Sequence, residues 1–136
     1  MRVYKFRAIC NDADYGNEEY YLKMIYSETI NQIAFGDEVD EVRLLVDGKW
    51  LIVKSETVGL YTGIKDKNGT EIYEGDIVKC GYFTGVVEYR KNAGIYVIGN
   101  KKLEKCITFF DIHMSIGKVE VKGNTYENPE LLEGRE

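Results

Sequence analysis

Tyr61-Thr62-Gly63-Ile64-Lys65-Asp66-Lys67-Asn68-Gly69-Thr70-Glu71-Ile72-Tyr73-Glu74-Gly75-Asp76-Ile77-Val78 is the stretch that decides the fold. Its apolar pieces are short, rich in β-branched and aromatic residues, and interrupted every few positions by turn residues, a spacing too close for an ordinary helix. Asn68-Gly69 suits a tight hairpin, because both central residues of a type I′ turn need positive φ. Glu74-Gly75-Asp76 reads as a second reversal. Carboxylates and amides at such positions accept hydrogen bonds from nearby backbone N–H groups, so turn chemistry accounts for both motifs before a partner-meeting loop is invoked. The expectation is an antiparallel ribbon of short strands.

Outward from this centre the same pattern continues. Downstream, residues 85–89 alternate, turn over Lys91-Asn92-Ala93-Gly94 and return through 95–98; further strands are expected at 106–110 and 118–121. Asn128-Pro129-Glu130-Leu131-Leu132 reads as one helical turn, with Asn128 as cap and Pro129 in the first position, where a missing N–H costs nothing. Upstream, residues 3–9 alternate as a strand, 11–19 form a polar loop, and 20–26 are expected to be a strand. Residues 27–36 predict a short helix: Ser27 as cap, Ile30, Ile33 and Ala34 as the buried face, Gly36 as stop. Residues 39–46 and 49–54 flank Asp47-Gly48, another tight-turn pair.

The resulting fold class is mainly β, or β-rich α+β. We expect an antiparallel small barrel, SH3-like in the C-terminal half by analogy, with one or two short helices. The organisation expected is a single domain over 1–136. Within it lie an N-terminal β-rich subregion with a short helix (1–60), a small β-barrel (61–122) and a C-terminal tail (123–136).

Composition agrees with a packed protein. The 136 residues are 44% hydrophobic and 30% charged, within the globular range. Fourteen glycines against one proline imply bends made through positive φ. Net charge is −5, distributed as −4 over residues 1–60, +2 over 61–122 and −3 over 123–136, which is too weakly basic anywhere to mark a nucleic-acid binder. No window reaches the ~18 apolar residues of a membrane span, and Met1 to Arg7 meet charge too often for a secretion signal. Cys10, Cys80 and Cys106 are odd in number and far apart, as free thiols of a reducing compartment are. The expected location is the cytoplasm.

Residues 61–69 together with 71–78 resemble the signature of the YopX-like phage and prophage proteins. Residues 123–132, Gly-Asn-Thr-Tyr-Glu-Asn-Pro-Glu-Leu-Leu, resemble that family's closing motif, and Lys5-Phe6-Arg7-Ala8 its opening one. Ile9-Cys10 stands where the opening motif usually continues with tryptophan and an acidic residue, and residues 11–57 match no part of it. The resemblance implies a small, largely β protein encoded by a phage or prophage, and it implies no catalytic residue.

Catalytic and metal chemistries find little footing. Asp12, Asp14 and Gly16 hint at a calcium loop, but Asn17 and Lys23 occupy the places where an EF-hand needs glycine and glutamate. His113 is the lone histidine, with Asp111 near it and no nucleophile motif. The three cysteines with His113 lack the paired spacing of a zinc site. No phosphate-cradling glycine loop occurs. The sequence therefore identifies no cofactor, metal or small-molecule substrate, and we expect a non-enzyme.

Two surfaces are candidates. A protein interface would use Tyr61, Lys65, Tyr73, Tyr126, Leu131 and Leu132, serving another protein or a second copy in a homo-oligomer, since tyrosine is enriched at interfaces. The disfavoured alternative is a nucleic-acid surface of Tyr89, Arg90, Lys91, Lys101, Lys102 and Lys105, with Tyr82, Phe83 and Tyr96 for base stacking. A third class, an enzyme, would need a site assembled from residues distant in sequence.

Overall fold

The computed structural model describes residues 4–35, 38–101, 105–108 and 119–132. The described residues form twelve strands and two short 3-10 turns, and their strand pairings are antiparallel. The mainly β expectation holds. No helix among them is long and apolar enough to cross a membrane. Contacts divide the chain into two compact units, Met1–Tyr61 and Thr62–Glu136.

In the N-terminal unit, β1 (Phe6–Ile9) lies between β2 (Met24–Ser27) and the start of β6 (Gly59–Lys65). A second sheet runs β3 (Ile30–Phe35), β4 (Glu38–Val46), β5 (Lys49–Val53). The sheets are tied along both margins. On one side the Leu45 N–H donates to Thr29 O at 3.2 Å and Ser27 Oγ to Leu45 O at 2.6 Å. On the other, Cys10 bridges Val53, while Asn11 N bonds Ile52 O at 2.8 Å and Lys54 N bonds Ile9 O at 2.9 Å. The enclosed core is Ala8, Cys10, Ile25, Val42, Leu44, Leu51 and Val53. Each fully buried Leu, Ile or Val there is worth on the order of 1.5–3 kcal/mol relative to exposure.

Several local expectations are corrected here. The helix expected over 27–36 is absent from its described part, residues 27–35, which is bend and strand. Ser27 Oγ does accept an N–H, but from Thr29 at 3.0 Å, in a bend rather than a helical cap, and it donates onward to Leu45. Beyond that bend the chain pairs with β4, from Ile30↔Leu44 to Phe35↔Glu38. Two β-branched isoleucines and a strand partner outweigh three apolar positions at helical spacing. Gly36, the expected stop, lies outside the described residues. The strand expected at 20–26 begins only at Met24, because Tyr20 N bonds Asn17 O and Lys23 N bonds Tyr20 O in successive turns. Asp47-Gly48 is the expected tight turn, both residues having positive φ (51° and 78°). At Asn68-Gly69, by contrast, only Gly69 is left-handed (φ 83°).

The C-terminal unit takes up the end of β6, which pairs with β7 (Glu71–Tyr73). Its main sheet has β8 (Asp76–Cys80), β9 (Phe83–Arg90), β10 (Ile95–Asn100), β11 (Lys105–Thr108) and β12 (Val119–Asn124), in the order β11-β10-β9-β8-β12. The first four make a meander, and the last returns to β8. Alternation sends Val78, Val87, Ile98 and Val119 into a core with Ile72. The opposite face carries Val86, Glu88, Val97 and Gly99, since Val97 faces Glu88 and Gly99 faces Val86 across the β9–β10 ladder. The helical turn expected after Asn128 is present as the 3-10 turn Pro129–Leu132.

Candidate interaction surface

Two carboxylates of the central motif, Asp66 and Asp76, are spent on backbone N–H groups. Asp66, 6% exposed, accepts the N–H groups of Asn68 (2.8 Å) and Thr70 (2.9 Å) through Oδ1, and that of Val121 (2.9 Å) through Oδ2. Burial pushes its pKa up, but those three donors, helped by Lys67, outweigh burial and hold the carboxyl below the ordinary carboxylate range. Asp76 Oδ2 accepts the Tyr73 N–H at 2.8 Å. The hairpin of β6 and β7 is thereby fastened to β12, and turn chemistry is the role seen for this motif.

The closing motif is a clip of the same kind. Asn124 Oδ1 accepts the N–H groups of Tyr126 (3.0 Å) and Glu127 (2.9 Å), and Asn128 Oδ1 accepts the Asn124 N–H at 3.2 Å. Asn128 lies against Gly123, where an added Cβ would fall 2.5 Å from Oδ1, so a larger residue would push the Asn128 side chain off the Asn124 N–H it accepts. The clip aims the tail across the outer face of the sheet. There, among the described residues, Thr125 and Leu132 join Val86, Glu88, Gly99, Asn100 and Lys101 in lining a groove of about 380 Å³. Tyr126 and Leu131, adjacent in sequence to the lining residues Thr125 and Leu132, stand 42% and 38% exposed.

The expected interface residues therefore separate. Leu132 lines the groove, whereas Tyr126 and Leu131 are exposed next to lining residues in the chain and are not part of its wall. Lys65 is exposed at the end of β6, and half-buried Tyr61 sits under Lys5, whose Nζ is 5.6 Å from the ring centroid. Tyr73 is 3% exposed, with its hydroxyl donating to Glu71 at 3.1 Å; it packs inside and does not face a partner.

The nucleic-acid alternative fares differently. Tyr89 is exposed and edge-on to Tyr96, ring centroids 5.1 Å apart. Tyr82 is fully exposed and Phe83 packs on the core. Arg90, however, pairs with Glu88 at 3.3 Å, which places a carboxylate among the cations. Lys91 is exposed in the β9–β10 turn and Lys101 lines the groove. Lys105 begins β11; Lys102, Asp111 and His113 lie outside the described residues. Of the cysteines, Cys10 is buried, Cys80 half-buried and Cys106 exposed, all as free thiols.

Sequence reading missed the groove walls Val86, Glu88 and Gly99. They meet only through strand register, and no local motif marks them. Alternation along residues 85–89 was the available signal, since it separates Val86 and Glu88 from the core-facing positions.

The YopX protein family matches residues 5–133. Among solved structures, protein EF1440 from Enterococcus faecalis is similar over 97% of this chain and 99% of its own, with 21% identity and a TM-score of 0.47. No curated protein matches the sequence.

Proposed function

This chain belongs to the YopX family, and on that premise we propose that it is a non-enzymatic phage or prophage accessory protein, acting in the bacterial cytoplasm by binding another protein or a second copy of itself. The observation that carries the reading is a groove walled by Leu132 and Val86, with Tyr126 and Leu131, the chain neighbours of its lining residues Thr125 and Leu132, left exposed. A large apolar side chain held in water next to a concave surface is what an interface anchor looks like before its partner arrives. The buried polar side chains support the non-enzymatic part: Asp66, Asp76 and Asn124 direct their oxygens to backbone N–H groups. We further read the order β11-β10-β9-β8-β12 as SH3-like, a meander whose fifth strand returns to its first.

Light scattering on the eluting protein, with affinity capture from phage-infected cells, tests the proposal. Wild type should self-associate or retain a defined partner, and the Tyr126→Ala/Leu131→Asp double variant should weaken that association at least about tenfold, as loss of an anchor does. A strictly monomeric wild type that retains nothing overturns it. Salt-sensitive binding of labelled single-stranded DNA or RNA would favour the nucleic-acid reading instead.

A further inference from the structure

We propose that the loop of residues 11–23 in the N-terminal unit is a docking surface for a lysine- or arginine-bearing segment of a partner protein. The loop is long and yet built to one shape. Asn17 N bonds Asp14 O, Tyr20 N bonds Asn17 O and Lys23 N bonds Tyr20 O, each at 3.0 Å, so three turns succeed one another without a gap. Buried Asp12 fastens its start, accepting the N–H groups of Asp14 and Ile52 at 3.1 Å. The β4–β5 turn holds its middle: Tyr20 Oη donates to Asp47 Oδ2 at 2.6 Å, and Lys49 Nζ to Gly16 O at 3.0 Å. Leu22 N closes it on Cys10 O at 2.8 Å.

That frame displays what a packed protein ordinarily hides. Tyr15 is fully exposed, Tyr21 41% and Leu22 51%. Leu22 also has φ +60°, a left-handed conformation that a leucine adopts at a cost. Ordered loops that present tyrosines on a rigid scaffold lose little entropy when they bind.

Charge selects the occupant. Residues 11–23 carry four carboxylates against one lysine. With Asp12 buried and Glu18 accepting the Gly16 N–H at 3.1 Å close to Lys49, the exposed Asp14 and Glu19 are the carboxylates left for a partner, next in the chain to Tyr15 and to Tyr20-Tyr21. Carboxylates beside aromatic faces suit a cationic side chain, which can pair with the first and rest on the second. The protein uses such a contact internally, where Lys5 lies over Tyr61.

The test places the photo-crosslinking residue p-benzoylphenylalanine at position 15 of the full chain in its host cells. Substitution there leaves folding intact because Tyr15 is fully exposed. Mass spectrometry should map the adduct to a net-positive segment of a different protein, and Asp14→Asn/Glu19→Gln should cut its yield about fivefold, the scale of two surface ion pairs. Absence of an adduct, an adduct in a neutral or acidic segment, adducts only with a second copy or with nucleic acid, or a yield indifferent to the double variant each overturns the proposal. The same probe at position 126 reports on the groove, so the two readings fail separately.

Discussion

Asp12 in the N-terminal unit and Asp66 in the C-terminal unit are the same device put to different uses. Each is nearly buried, each accepts an N–H two residues ahead, and each reaches a strand far along the chain, Ile52 for one and Val121 for the other. Asp66 closes a compact turn whose other residues, Lys67 to Thr70, are small or polar. Asp12 roots a loop that carries two exposed tyrosines and an exposed leucine. A buried carboxylate can thus pin a reversal shut or hold a display surface steady, and the side chains of the segment it anchors decide between the two.

The largest effect should come from Asp66→Ala. It strips the acceptor from three N–H groups in part-buried bonds, and at about 1 kcal/mol for each we expect a loss of about 3 kcal/mol in urea unfolding. Asp12→Ala removes two such backbone bonds and should cost about 2 kcal/mol on the same scale. Equal losses would break the comparison.

Acid should act on both. For Asp12, burial raises the pKa, but the N–H groups of Ile52 and Asp14, the Asn17 side chain and the charge of Arg43 bring it below the ordinary value. A folded pKa lower than the unfolded one stabilises at pH above the unfolded value, about 3.9 for aspartate, and that contribution is lost as pH falls through the folded value. Urea midpoints should therefore be steady down to about pH 5 and drop below it, and Asp66→Asn and Asp12→Asn should each flatten the drop.

The smallest effect should have the opposite sign. Leu22→Gly relieves the left-handed backbone and removes a half-exposed side chain, so stability should hold or rise by up to about 1 kcal/mol. The same change should weaken crosslinking from position 15. A clear loss of stability would mean that Leu22 serves the fold and not the display.

Legibility in the sequence tracked the range of the interactions. Asp47-Gly48 was readable because two consecutive positive φ angles are a property of those residues themselves. The strand–turn rhythm of residues 61–98 was readable for the same reason. Residues 27–36 misled because their helical spacing is genuine, while the β4 partner that overrides it arrives only in three dimensions. The groove was invisible, since Gly99 comes opposite Val86 through register alone. Residues 11–19 read as a polar loop and 20–26 as a strand because Asp12's bond to Ile52, forty positions away, cannot be seen in a local window. The density of tyrosine at 15, 20 and 21 was the signal that went unused.

Cys10 sits at the bridge to Val53 that completes one margin between the two N-terminal sheets, and burial pushes its thiol above the ordinary cysteine pKa. Alkylating reagents attack thiolate. Cys106, exposed, should therefore label at once and Cys10 only when that seam parts, giving the protein an internal clock for its own opening.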